Sequence, residues 1–187
     1  MRTTFHLITI AGMDGTVIIR HAVLDDAEGI AHAHTISWQS AYRGILSDEY
    51  LDGLRWETRY EMWSGRLSEV SPTTNNLFVA TNMEGTIFGF ASIGNVRDKD
   101  LVSQEVYEIY AIYVVPESWS LGVGKALIDV ALASVPTRTS GVSLWVLTDN
   151  KRGRSFYERQ GFKHDGTNRV EHIGGQDLEE MRYLRTN

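Results

Sequence analysis

The 187-residue sequence contains no cysteine, which removes disulfides, thiolate metal sites and a cysteine nucleophile together. Only three prolines and an ordinary charge density argue against a disordered or extended chain. No apolar run approaches the roughly 18 residues of a membrane span. The longest strong one, 109–115, has the length of a strand. Basic charge is also scarce: 18 Lys and Arg face 24 Asp and Glu, a net charge of −6. That balance lacks the footprint of a protein that tracks nucleic-acid phosphates, and suits a cationic small partner without pointing to one. Residues 1–11 carry one Arg and a short apolar patch with no convincing cleavage site. Residues 1–12 therefore read as an N-terminal extension, with Met13 a candidate start, and the cytoplasm is the expected compartment.

What is present is enough apolar surface for one core, with 42% of residues hydrophobic in a chain of single-domain length. Residues 16–22, β-branched and apolar, read as a first strand. Asp25 and Asp26 stand where a helix cap is wanted, and Ala27, Ile30, Ala31, His34, Trp38 and Tyr42 recur at helical spacing. Ser47 and Asp48 open a second helix whose Trp56, Tyr60, Trp63 and Leu67 share a face, and a loop around Pro72 closes it. From Leu77 the period becomes strand-like: 77–81 and 87–93 flank a turn at 82–85, and 106–115 follows. Glycines then lead into a helix over 123–134. After it come a strand at 142–147, a short helix between Asn150 and Gly161, and two strands over 167–184 that turn at Gly174 and Gly175. The order β, αα, βββ, α, β, α, ββ predicts one mixed α/β domain over 13–187, a central mixed sheet of about seven strands flanked by about four helices.

The chemistry concentrates in 108–125, where a strand runs through a loop into a helix at Gly122-Val123-Gly124-Lys125. Glycines let the backbone approach a ligand, and a helix N-terminus offers unpaired N–H groups to a phosphate. A G-x-G before a helix is also what a plain packing turn looks like. Neither nucleotide fingerprint fits: Ala126 follows Lys125 where a P-loop needs Ser or Thr, and Leu127 occupies the third glycine of the dinucleotide pattern. Glu108 is the only charge within 106–115 and reads either as a general base or as half of a structural ion pair. His32 and His34, two apart on a helix, cannot share a face, so no metal is expected. His172, in the tail hairpin, could reach an acceptor site and reads more simply as a surface histidine, and the Trp56-Tyr60-Trp63 stripe reads as core rather than as a ligand box. Asp48, Glu49 and Asp52 could draw a cation, and a solvated helix start explains them equally.

A second segment lies downstream: the strand residues 144–147, then Asn150, then Ser155-Phe156-Tyr157-Glu158-Arg159-Gln160-Gly161-Phe162. In this order and separation the two segments resemble the GNAT superfamily of N-acetyltransferases. Val115-Pro116-Glu117 followed by 119–124 resembles its Gln/Arg-x-x-Gly-x-Gly/Ala signature for the acetyl-CoA pyrophosphate, and the second segment resembles its Asn-x-x-Ala-x-x-Phe-Tyr-x-x-x-Gly-Phe run. The resemblance covers 79–162, extends to the strand-helix-helix opening and is loose in the tail. Two positions depart from it: Trp119 replaces Gln or Arg and cannot offer phosphate an amide or guanidinium, and Gly153 replaces Ala.

The resemblance implies acetyl-CoA as acyl donor, with Trp119, Ser120, Leu121, Gly122, Val123, Gly124 and Lys125 lining the pyrophosphate through backbone N–H groups. Ile112 and Val114 would pair their backbone with the pantetheine arm while their side chains fill the sheet. Asn150 fits either a helix cap or a CoA contact. Tyr157 is the implied general acid toward the departing sulfur. A phenol near ~10 and a thiol near ~8.5 make full proton transfer uphill, so donation is expected to be concerted with reprotonation. Trp38 and Tyr42 fall where the family builds its acceptor pocket, and Trp38 with Tyr42-Arg43-Gly44-Ile45-Leu46 resembles some polyamine acetyltransferases. The expected reaction is direct transfer in a ternary complex to a primary amine of a small molecule, polyamine-, amino-acid- or antibiotic-like, without metal or covalent intermediate. A protein N-terminal or lysine acetyltransferase and a non-catalytic acyl-CoA-binding sensor are the alternatives. Neither nucleic acid nor membrane is an expected partner, and a homodimer is left open.

Overall fold

The computed structural model describes residues 6–9, 16–69 and 76–186; the rest of the 1–12 extension, Met13 and the Pro72 loop lie outside them. Strand β1 (His6–Thr9) precedes β2 (Thr16–His21), whose Val17 and Ile19 are buried as their alternation requires. Helix α1 (Ala27–Ala41) buries Ala27, Ile30, Ala31 and His34 along one stripe. Next come α2 (Asp48–Asp52) and α3 (Trp56–Glu69), then β3 (Leu77–Thr81) and β4 (Ile87–Asn95) around a turn in which Asn82 Oδ1 accepts from Thr86 N–H at 2.8 Å. Helix α4 (Lys99–Val102), β5 (Val106–Val114), α5 (Val123–Ala133) and β6 (Gly141–Leu147) follow. The chain ends in α6 (Lys151–Arg159) and a long hairpin of β7 (Lys163–Ile173) and β8 (Gln176–Thr186).

These elements divide into two compact units, between which β4 and β5 are shared. The first comprises the chain up to Ser40, Leu54–Ser92 and Ala111–Ser134. Its strands run in the order β1-β2-β3-β4, antiparallel throughout, with the C-terminal half of β5 beside β4, where Val115 N–H donates to Phe88 O at 2.9 Å. Its core joins Ile30 and Ala31 of α1, Trp63 and Leu67 of α3, and Leu77, Val79 and Phe90 of the sheet. The second comprises Ala41–Gly53, Ile93–Tyr110 and Val135–Asn187. There the start of β5 pairs with β6 in parallel, from Val106 opposite Gly141 to Ile109 opposite Leu144, and β6 and β7 flank β8 antiparallel.

The mixed α/β class is as the periodicity predicts, with differences in detail. Among the described residues there are eight strands against the expected seven or so, because β1 adds an edge to β2. The single helix expected from Ser47 to Leu67 is two, since Gly53 closes α2 with its N–H on Glu49 O, and α4 was not expected at all; the described residues form six α-helices against the expected four or so.

Candidate active site

In the first unit β5 leads through the turn after Pro116 into α5. Ser120 has φ 62 and Gly122 φ 94, so two left-handed residues bend the chain within three positions. A Cβ added at Gly122 would meet nothing within 4 Å, so the loop is open on that side. No side chain caps α5; its first helical bond is Ala126 N–H to Gly122 O, and the N–H groups of Val123, Gly124 and Lys125 precede it. A turn of this kind presents donors and a positive dipole end to an anion, and the residues present therefore fit the pyrophosphate of a CoA ester. The Lys125 ammonium does not point its charge there alone: it pairs with Asp129 at 2.6 Å. Trp119 braces the turn instead of touching phosphate through its side chain, its indole N–H donating to Val114 O at 2.6 Å. That bond takes one of the two lone pairs of the Val114 carbonyl, on the strand expected to pair with the pantetheine arm.

An aromatic wall stands beside the end of β5. Tyr113, between Ile112 and Val114, stacks on His34 with centroids 4.9 Å apart, and Trp38 packs 5.9 Å from His34 and 6.3 Å from Tyr113. Phe90 and Trp63 close the other side of His34, and Trp63 Nε1–H donates to His34 Nδ1 at 3.2 Å. This bond leaves the remaining ring proton on Nε2 of a neutral imidazole. Burial, with a smaller contribution from the Arg59 charge, pushes His34 down to about 3. The guanidinium of Arg59 lies over the Trp38 ring, 4.9 Å from its centroid. Sequence reasoning singled out Trp38, placed His34 on the same helical stripe without a role in the site, and passed over Tyr113 and Arg59. The signal was the β5 alternation, which puts Tyr113 on the face opposite Ile112 and Val114.

In the second unit Glu108 is 1% exposed, and its carboxylate is fully engaged. Oε2 accepts from Arg97 N–H at 2.9 Å, Arg97 Nε approaches both oxygens at 3.1 Å, and Arg97 Nη2 donates to Oε1. Of the two roles open to Glu108, the structure shows the contacts of the ion pair, with the Arg97 guanidinium on both oxygens. Asn150 likewise acts as a cap, its Oδ1 accepting from Gly153 N–H at 2.9 Å. The Gly153 departure follows, because a Cβ there would come within 2.7 Å of the Asn150 amide. Tyr157 is half-buried between Phe156 and Phe162, at centroid distances of 5.3 and 6.0 Å, and Gly161 at φ 84 ends the helix as expected. Arg43 pairs with Asp48 at 2.9 Å and Asp52 at 2.7 Å, so the acidic start of α2 already holds a cation. Half-buried Tyr42 receives the Ile45 and Leu46 N–H groups on its carbonyl, and exposed His172 pairs with Asp177.

Of the residues singled out from the sequence, the first unit thus holds Trp38, Ile112, Val114 and Trp119 to Lys125, while Tyr42, Glu108, Asn150 and Tyr157 belong to the second. Among the described residues no three His, Asp or Glu side chains gather as metal ligands, and no helix is long and apolar enough to cross a membrane.

Comparison with known proteins agrees with this arrangement. An uncharacterised N-acetyltransferase of Bacillus subtilis, YuaI, is 33% identical over 137 residues, covering 72% of this chain and 73% of its own. A spermidine N(1)-acetyltransferase of Thermoplasma acidophilum is 27% identical over 158 residues, covering 81% and 91%. The PaiA N-acetyltransferase of Thermoplasma acidophilum, solved in complex with coenzyme A, shares the fold with a TM-score of 0.70 at 23% identity, over 91% of this chain and 99% of that one. The profile of the acetyltransferase (GNAT) family matches residues 35–162, which contain the β5–α5 turn and α6, and the chain belongs to that family.

Proposed function

We propose that this N-acetyltransferase takes acetyl-CoA as donor and acetylates a primary amine of a small molecule, by direct transfer in a ternary complex. The observation that carries the reading is the uncapped first turn of α5 behind the left-handed pair Ser120 and Gly122. Bound there, acetyl-CoA supplies an acetyl group activated as a thioester. The N–H groups of Val123, Gly124 and Lys125 hold the pyrophosphate, and Ile112 and the Val114 N–H align the pantetheine arm. The role of acid toward the departing sulfur is the one the family resemblance gives to Tyr157. A phenol, with a pKa ordinarily of ~10, suits a donor that surrenders the proton only as the C–S bond breaks. Glu108 is not offered as the base: the ammonium gives one proton to water before attack, and the proton that nitrogen sheds on attack passes through water to restore the phenol. The wall of Trp38 and Tyr113 supports a small acceptor with an apolar stem, and the spermidine N(1)-acetyltransferase among the relatives supports an amine.

Because the chain has no thiol of its own, all thiol released in a mixture of protein, acetyl-CoA and amine comes from CoA. We expect thiol release that depends on a small amine and yields its N-acetyl product by mass. Calorimetric binding of CoA without release for any small amine, peptide or protein would replace this reading with that of a CoA-binding sensor.

A further inference from the structure

The charge on Arg59 meets an aromatic ring and no carboxylate among the described residues, and its position points to a use. It lies on α3, half-buried, over the Trp38 ring at 4.9 Å from the centroid. Among the described residues no carboxylate lies within 4 Å of it, although α3 also carries Glu57, whose carboxylate pairs with Arg55 at 2.9 Å. Three other arginines that are buried or half-buried do have such partners, Arg20 with Asp26, Arg169 with Glu180, and Arg182 with Asp98, Asp100 and Asp165, while half-buried Arg154 donates to the Tyr183 hydroxyl and the Thr148 carbonyl. A guanidinium that has lost part of its hydration and gained no carboxylate is a vacant half of a charge-assisted pair. Its field reaches the wall, since it helps to keep His34 neutral. The neighbouring rings are those of Trp38 and Tyr113, the latter between the two β5 residues assigned to the pantetheine arm.

Resting on the proposed transfer to a small amine, we propose that Arg59 is the specificity-determining residue for the acceptor, which is a primary amine bearing a carboxylate or comparable anion, as an amino acid does. The anionic end pairs with Arg59, the stem lies on Trp38 and Tyr113, and the amine end is left for the thioester. A diamine would set a second ammonium against the guanidinium, a like-charge contact that disfavours it.

The test uses α- and ω-amino acids, their primary amides and diamines of equal chain length, with CoA thiol release as readout. The parent should favour amino acid over amide over diamine in kcat/KM. Arg59→Gln should cut the amino-acid value at least roughly tenfold, through KM, and collapse the acid-to-amide ratio, while Arg59→Lys should restore part of that ratio. Preference of the parent for the diamine needs no variant and overturns the proposal while the small-amine reading stands. An Arg59→Gln protein that loses activity equally on all three classes also overturns it, since Arg59 would then act only through the fold. No release with any of them removes the small-amine reading and this proposal together.

Discussion

Tyr157 and Glu108 are the two side chains that sequence reasoning put forward for proton transfer, and their surroundings separate them. Tyr157 is half-buried, held edge-on by Phe156 and Phe162 through its ring, and those contacts do not need the hydroxyl. Tyr157→Phe keeps the ring that makes those contacts, so a folded variant should keep its affinity for CoA while kcat and kcat/KM fall together, by roughly the 10²–10⁴ of general-acid assistance. Near-parental kcat where chemistry limits turnover would leave Tyr157 a packing residue. Glu108→Gln should do the reverse. It removes the charge that Arg97 answers with its backbone N–H and its guanidinium, so thermal stability should drop. The Arg97 side chain is 61% exposed, so water compensates for much of the lost pairing, and the cost should be about 1–2 kcal/mol, below that of a fully buried pair. The pH profile of kcat/KM should keep its parental shape; loss of rate confined to mildly acid pH would return Glu108 to the role of base.

The element that organises the site is the β5-turn-α5 unit, and its geometry rests on two residues with positive φ. Gly122 at φ 94 is free of steric cost, whereas Ser120 at φ 62 tolerates a conformation that a β-branched residue would resist. Gly122→Val should lower the melting temperature and weaken CoA binding at least tenfold, by roughly 1.4 kcal/mol or more, because it both strains the turn and fills its open side. Ser120→Gly in the same turn should stay near the parent in both. Calorimetry showing parental CoA affinity for a folded Gly122→Val protein would move the cradle off this turn. Much of this unit was legible in the sequence, since strand alternation, Pro116, the glycines and the helical period all act locally. What stayed hidden depends on partners distant in sequence or on backbone detail. The ion pair of Glu108 with Arg97 spans eleven positions and the connection between β4 and β5; the bond from Trp119 to Val114 requires the turn to be built first. The break between α2 and α3 hangs on Gly53 alone, within an otherwise continuous helical pattern, and β1 is a four-residue strand whose pairing with β2 no short-range signal announces.

At the scale of the whole molecule, the two units each keep one buried cationic or cationisable group in a fixed state, with opposite means. In the second unit the buried Arg182 is neutralised by Asp98, Asp100 and Asp165 while its guanidinium sits 5.8 Å from the Trp145 ring, and it holds the Asp100 carboxyl below the usual carboxylate range. Asp100 thus contributes stability above its unfolded pKa that is lost as the pH falls through the folded one. In the first unit His34 has no acid to pair with among the described residues: it faces Trp38, Trp63, Phe90 and Tyr113, feels the Arg59 charge, and stays neutral. Below its ordinary 6.5 the unfolded chain takes up a proton that the folded chain refuses until about 3, so folding stability declines as the pH falls through this window. At 1.36 kcal/mol per unit this amounts to roughly 3 kcal/mol between about pH 6.5 and pH 4 as an upper bound. His34→Asn keeps an acceptor for the Trp63 N–H and cannot be protonated in this range. Its urea midpoint should be lower than the parent's near pH 8, where the lost stacking on Tyr113 is all that counts, and the gap should close as the pH is lowered toward 4. Parallel pH dependences for parent and variant would mean that His34 takes up its proton in the folded state as readily as in the unfolded one, and that the wall beside β5 accommodates a charge.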